Sequence, residues 1–158
     1  MKVNLYGDIR NGYLNVVNQV PNSLGDLPEN TSVVVGDVGN LDPLLEDGAA
    51  EQIIFSVPMN VLYPAHIVPI LEHWHKKIKP NGELVLSYVD IRRLGQFIHS
   101  GELSLQQIDG MIYGPNHNYH SLVDTNVLDA VLRGLGYSIK MISPKEFFVT
   151  VEAAKNAN

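Results

Sequence analysis

The stretch Asn116-His117-Asn118-Tyr119-His120 carries the densest group of side chains able to move a proton or grip a polar ligand. Imidazole titrates near neutral pH and serves readily as a general base, and a tyrosine hydroxyl can share that work. Tyr119 and His120 are therefore the candidate catalytic residues, suited to taking a proton from an oxygen or nitrogen nucleophile. His117 and His120 also have metal-ligand chemistry, but two imidazoles without a neighbouring carboxylate form an incomplete ligand set. The nearest carboxylate, Asp124, stands before a predicted helix, where capping is its simpler role. A solvent-exposed structural loop is the competing reading of the whole segment.

Other polar clusters read more plainly. His73 and His75 flank Trp74, but on a helix they point about 200° apart and cannot hold one ion. Both are expected at the surface, with Trp74 in the core. His66 and His99 fall at helix ends, where solvent and the helix dipole account for them. In Ser56-Val57-Pro58-Met59-Asn60, Ser56 is placed to line a pocket and Asn60 to cap or turn the chain. No Ser–His–Asp order, phosphate-cradling Gly-x-x-x-x-Gly-Lys loop or His-Glu-x-x-His helix occurs.

The elements that must position these residues fit one domain over residues 1–158, with 45% hydrophobic residues to build a core. The absence of cysteine excludes disulfides, thiolate metal sites and thiol nucleophiles. A net charge of −6 leaves no basic surplus for nucleic acid. The densest basic run, Lys76-Lys77-Ile78-Lys79, reads as a solvated helix end that complements the dipole. No signal-peptide pattern follows Met1 and no apolar run reaches the roughly 20 residues of a membrane helix, so a cytoplasmic protein is the expectation.

Lys2–Tyr6 alternates and is broken by Gly7-Asp8, as a strand and turn should be. Gly12–Val17 predicts a second strand, Pro21–Thr31 a loop, and Val33–Val35 a strand covered on both faces. Leu41–Leu45 has room for one helical turn, and Gln52–Val57 is another buried strand pattern. Ile67, Ile70, Leu71, Trp74 and Ile78 then recur at helical spacing, with Pro69 expected in the first turn and Pro80-Asn81-Gly82 as the stop. Glu83–Val89 is a strand. Asp90 and Ser104 cap two short helices, Gly114–His120 is a polar loop, and Thr125 starts a helix running to Gly136. Tyr137–Ile142 and Glu146–Ala153 are strands joined by Ser143-Pro144-Lys145, a link so short that they must pair antiparallel. This order predicts a mostly parallel sheet of seven strands in an α/β fold, closed by a hairpin. Ligands on such sheets sit beyond the C-terminal strand ends, here Tyr6–Ile9, Val17–Gln19, Asp37–Gly39 and Ser56–Pro58.

Two long stretches carry a family resemblance. Glu51–Asp90 holds a strand, a helix, the turn Ile78-Lys79-Pro80-Asn81-Gly82 and a further strand; Ile108–Ile142 holds Tyr113-Gly114, Tyr119-His120, a helix and Gly136-Tyr137. In order and spacing they resemble the class I S-adenosylmethionine-dependent methyltransferases, notably a short predicted branch associated with glycan loci. The resemblance implies a Rossmann-like class I methyltransferase fold, S-adenosylmethionine as cofactor, and a small-molecule or glycan-like acceptor.

It also implies where the cofactor would lie, and there the motifs are degenerate. The first strand of such proteins leads into Gly-x-Gly, because bare backbone must approach the methionine part. In this chain Tyr6-Gly7-Asp8 stands there. Tyr6 would crowd the loop, while Asp8 could pair with the cofactor's amino group but would repel its carboxylate. Val17 occupies the place of the acid that holds the ribose hydroxyls, leaving Asn18 as a neutral substitute. Loss of that charged acceptor costs about 1.5–3 kcal/mol, roughly ten- to a hundredfold in affinity. Asp37-Val38 keeps the pattern of the adenine contact, and Ser56 would line the pocket. The helix after the first strand is reduced to about one turn within Ile9–Tyr13, which removes part of an anion-friendly helix N-terminus. Two functions follow as expectations: a methyltransferase using Tyr6, Gly7, Asp8, Asn18, Asp37, Val38 and Ser56 toward the cofactor, or a degenerate relative that keeps the fold as a binding or assembly module.

Overall fold

The computed structural model describes residues 1–19, 27–114 and 119–157. Its strands are β1 (Lys2–Leu5), β2 (Leu14–Val17), β3 (Ser32–Val35), β4 (Ala50–Phe55), β5 (Ile78–Val89), β6 (Tyr137–Lys145) and β7 (Phe148–Lys155). Helices are α1 (Pro64–Lys77), α2 (Ile91–His99), α3 (Leu105–Tyr113) and α4 (Thr125–Gly134), with a single 3-10 turn at Met59–Val61. The seven strands form one sheet in the order β3-β2-β1-β4-β5-β7-β6. All pairs from β3 to β5 are parallel, whereas β7 runs antiparallel to both β5 and β6. The order reverses between β1 and β4, the crevice where such sheets bind ligands.

The two faces of this sheet differ in chemistry because side chains alternate along each strand. Val3, Leu5, Val16, Ile53, Phe55, Leu84, Leu86 and Val151 point to one face and pack with Ile70, Leu71 and Trp74 of α1 and Leu128 and Leu132 of α4. The opposite face carries cross-strand polar pairs: Asn4 with Asn15, Gln52 with Glu83, and Ser87 with Thr150. Among the described residues, the β1–β2, β2–β3 and β3–β4 connections hold no helix beyond the turn at Leu41–Leu45, where Leu45 N–H bonds to Leu41 O at 2.9 Å.

Several expectations shift. Ile9–Tyr13 forms no helical turn; side chains from the strands shape it instead. Edge strand β3 is only partly covered, with Val35 exposed, since it has a neighbour on one side alone. α1 starts at Pro64, so Pro69 lies in its second turn on the exposed side, where the missing hydrogen bond is cheap to leave to water. Ile78 is already extended and begins β5, and Lys79–Gly82 is an irregularity within that strand, with Asn81 at φ 61°. The hairpin turns three residues later than predicted, at Glu146 (φ 55°) and Phe147, with Lys145 opposite Phe148. Pro144 is tolerated inside β6 because β6 is an edge strand.

The caps behave as the sequence predicts. Ser104 accepts from Gln107 N–H in a capping box, and Asp124 accepts from Asn126 N–H at 2.8 Å. Asp90 does more than cap α2. Its Oδ1 accepts from Arg93 N–H at 2.8 Å, while Oδ2 accepts from Thr125 N–H and Oγ1–H, joining the starts of α2 and α4. No helix among the described residues is long and apolar enough to cross a membrane.

Candidate functional site

Beyond β1 and β2 the chain is stitched down onto the sheet. Asn4 and Asn15 sit opposite each other in register and are fully buried, so their amides must find partners. Asn4 Nδ2 donates to Asn15 Oδ1 at 2.8 Å and to Asp8 O at 3.0 Å. Asn15 Nδ2 donates to Arg10 O at 3.0 Å, and its Oδ1 accepts from Arg10 N–H at 2.8 Å. Ser56, at the exit of β4, donates to Asn4 Oδ1. A Cβ on Gly7 would lie 2.6 Å from Ser56 Cβ, and Gly7 has φ 131°, so β1 and β4 meet in a contact open to glycine alone.

Tyr6 takes the left-handed conformation, φ 47°, that a glycine at this place would adopt freely. Its half-buried ring packs near Phe55, with centroids 6.3 Å apart, and its hydroxyl donates to Gly36 O at a long 3.4 Å. The side chain thus reaches from the end of β1 to the residue that follows β3. Asp8 and Asn18 are both exposed.

Asp37 is exposed, and its Oδ1 accepts from Gly39 N–H at 2.8 Å. It faces a hollow of about 290 Å³ shared with Gly39 and with His66, Pro69 and Ile70 of α1. Val38 is buried in the core, and its carbonyl accepts from Trp74 Nε1–H at 2.8 Å. The helix that carries Trp74 grips this loop repeatedly. His73 Nε2 accepts from Leu41 N–H at 2.8 Å, Lys76 O accepts from Gly48 N–H at 2.9 Å, and Lys77 Nζ reaches Asp42 and Asp47 at 2.6 and 2.7 Å. Lys77 is therefore 3% exposed rather than solvated, and its pKa is raised, first by the hydrogen bond to Asp42 and then by that to Asp47. The two histidines depart from the surface reading as well. His73 is a loop anchor, and His75 is half-buried with its ring edge-on to Tyr137 at 5.0 Å; burial pushes its pKa down.

Beyond β4 and β5 the chain is held away from the sheet. Asn60, 3% exposed, is the post. Its Nδ2 donates to Val89 O and Ser121 O at 3.1 and 3.2 Å, and its Oδ1 accepts from Val89 N–H at 2.7 Å. Its carbonyl accepts from the N–H groups of His120 and Ser121 at 2.7 and 3.1 Å. The strap 119–123 is thereby pinned across the end of β5 and pairs with Asp90 through Val123. Between strap, α2 and α3 lies a cavity of about 220 Å³ lined by residues including Val89, Leu94, Met111, Tyr119 and Ser121.

Tyr119 is half-buried, and burial raises the pKa of its hydroxyl. A hydroxyl so placed holds its proton at neutral pH and favours hydrogen-bond donation. His120 is exposed and stacks on Tyr63, ring centroids 4.2 Å apart and planes 12° from parallel. His117 lies outside the described residues. Among the described residues no three His, Asp or Glu side chains gather as a metal site.

The parallel sheet thus brings all nine candidate residues to one edge, in two halves: Tyr6, Gly7, Asp8, Asn18, Asp37, Val38 and Ser56 around the ends of β1–β4, and Tyr119 and His120 beyond β4 and β5. Sequence reading missed Asn4, Asn15 and Ser121 and undervalued Asn60. Asparagine is unfavourable inside strands, so Asn4 and Asn15 amid apolar neighbours were a readable signal. Asn60 and Ser121 gave none, because their partners lie 29 and 61 residues away.

No family model and no curated protein matches the chain. Solved structures do. A possible exported protein from Bordetella parapertussis superposes with a TM-score of 0.60 at 19% identity, over 80% of this chain and 45% of its own. An O-methyltransferase family protein from Burkholderia thailandensis gives 0.59 at 16%, over 80% and 36%. A SAM-dependent methyltransferase from Methanosarcina mazei gives 0.58 at 12%, over 93% and 84%. The chain spans less than half the length of the first two.

Proposed function

We propose that this chain, which has the class I methyltransferase fold, works as a ligand-binding module: it keeps a cavity beyond β5, while Tyr6 occupies the turn after β1 where the methionine part of the cofactor would need bare backbone. Tyr6 carries this reading. The fold's cofactor, S-adenosylmethionine, needs bare backbone beyond β1, and Tyr6 instead lays a ring from β1 toward Gly36 while holding the glycine-type φ of 47°. Gly7 is spent on the contact with Ser56, and Val17, in place of a ribose-holding acid, is buried in the sheet. On this reading the residues do not fit the cofactor.

Calorimetry with S-adenosylmethionine and S-adenosylhomocysteine tests this. Wild-type protein should give no saturable heat at about 1 mM ligand, and Tyr6→Gly should bind at least tenfold more tightly. Saturable wild-type binding, or a Tyr6→Gly variant no better than wild type, would overturn it.

One observation favours a second reading, an S-adenosylmethionine-dependent methyltransferase with a small or glycan-like acceptor. Asp37 keeps an exposed carboxylate beside an open hollow, suited to an adenine amino group. His120 would then take the acceptor's proton. Loss of wild-type cofactor binding in Asp37→Ala would support it; binding indifferent to that change would sink it.

A further inference from the structure

Two buried polar atoms that lack a hydrogen-bond partner among the described residues belong to one contact: Nδ1 of His75, on the last turn of α1, and the hydroxyl of Tyr137, at the start of β6. Their rings meet edge-on with centroids 5.0 Å apart. A Cβ on Gly136 would lie 3.8 Å from His75 Cε1, so the imidazole is seated between the helix end and the turn into β6. A neutral imidazole with its proton on Nε2 tolerates this seat, since it leaves only one weak acceptor unpaired. An imidazolium does not, because both of its nitrogens are donors and the proton on Nδ1 would meet neither an acceptor nor solvent.

A cation in the last turn of a helix is ordinarily welcome, because the final carbonyls carry partial negative charge. Two of those carbonyls are already engaged: Lys155 Nζ, reaching across from β7, donates to His75 O at 2.7 Å and to Ile78 O at 2.8 Å. A charge on His75 would therefore be added beside an ammonium. Of the charged groups on the flanking elements, Asp42 and Asp47 are committed to Lys77, and Asp129 to Arg133. Glu72 and Lys76, on α1 itself, are exposed to water. Burial first, and Lys155 second, lower the pKa of His75.

We propose that His75 is an acid-sensitive latch between α1 and the C-terminal hairpin: neutral, it seats the last helical turn against Tyr137, and protonated, it leaves that seat and loosens the turn. The unfolded chain takes up a proton at the ordinary histidine value of about 6.5, a proton that the folded seat refuses. The stabilisation is full above about pH 6.5 and is lost as pH falls below it, by up to about tenfold in the unfolding equilibrium per pH unit. Two amides report the turn directly. Ile78 N–H closes the helix on Trp74 O, and Gly48 N–H bonds to Lys76 O.

The test is an NMR titration of the whole chain from about pH 7.5 to about pH 5, with urea midpoints measured alongside. The His75 imidazole should titrate below about 6.5, and the Tyr137 ring shifts and the exchange protection of Ile78 and Gly48 should follow the same curve. His75→Phe keeps a ring against Tyr137 with no nitrogen to protonate. Between about pH 7 and about pH 5 the wild-type unfolding equilibrium constant should rise about fivefold more than that of the variant. The wild-type titration decides the matter even if the variant fails to fold. A His75 that titrates at or above its ordinary value, a titration without response at Tyr137 and Ile78, or a folded variant as acid-sensitive as wild type would overturn the proposal.

Discussion

Beyond β1 and β2 the chain is drawn down onto the sheet, whereas beyond β4 and β5 it is propped above it. Both arrangements depend on buried asparagines. Asn4 and Asn15 point sideways to each other and upward to a loop only a few residues along, so the loop has to fold back over them. Asn60 points to Val89 and Ser121, which are distant in the chain, so its amide spans a gap instead of closing one. The same amide chemistry ties a loop down beyond β1 and β2 and holds a strap across the end of β5; the sequence separation of its partners decides which.

Removing the prop should have the largest effect. Asn60→Ala strands the Val89 N–H and C=O and the Ser121 C=O, and should cost about 3 kcal/mol or more, read as a fall in the urea midpoint at unchanged slope. A loss under about 1 kcal/mol would mean the strap stays up by other contacts. On the filled half, Gly7→Ala adds a Cβ against Ser56 at a φ unsuited to alanine and should cost about 2–3 kcal/mol by the same assay. An unchanged midpoint would show that β1 and β4 can part there.

Acid should act on the propped half. Burial raises the Asp90 pKa, but hydrogen bonds from Thr125 and from the backbone N–H of Arg93 outweigh it, and the carboxyl ends below its ordinary value. A folded pKa below the unfolded one, about 3.9, gives stability that is full above that pH and is lost as pH falls through the folded value. Urea midpoints from pH 7 to 2 should therefore fall less steeply below pH 4 in Asp90→Asn than in wild type. Identical slopes would remove Asp90 from the acid response.

The smallest change in stability is expected where the ligand effect is greatest. Tyr6→Gly gives up the burial of a half-covered ring but relieves about 1–2 kcal/mol of left-handed strain, so the unfolding free energy read from the urea midpoint should change by less than about 1 kcal/mol. A large loss would make Tyr6 a structural keystone rather than a filler of the cofactor side.

Local chemistry made much of the fold legible. The apolar runs named every strand, the caps Asp90, Ser104 and Asp124 marked three helices, and the short C-terminal link required an antiparallel pair. Boundaries failed where tertiary contacts overruled a local signal. Ile78 fits the helical stripe of α1, yet it is buried as the first residue of β5, opposite Ala50. Pro144 reads as a turn residue but sits in an edge strand that has no use for its missing N–H. At the site, residue types showed that Tyr6-Gly7-Asp8 lacks glycine-loop chemistry. They could not show the ring reaching Gly36, the Gly7–Ser56 contact or the cavity behind Ser121, all made by residues remote in sequence.

The grip of α1 on the loop before β4 has a kinetic consequence. His73, Trp74, Lys76 and Lys77 each hold a different point of a segment with almost no regular structure of its own. Such a loop cannot open piecemeal without breaking bonds to the helix, so the two should unfold together as one cooperative unit. In native-state hydrogen exchange, the amides of Leu41 and Gly48 should then exchange with the slow rates of α1, giving an irregular loop the protection of a helix.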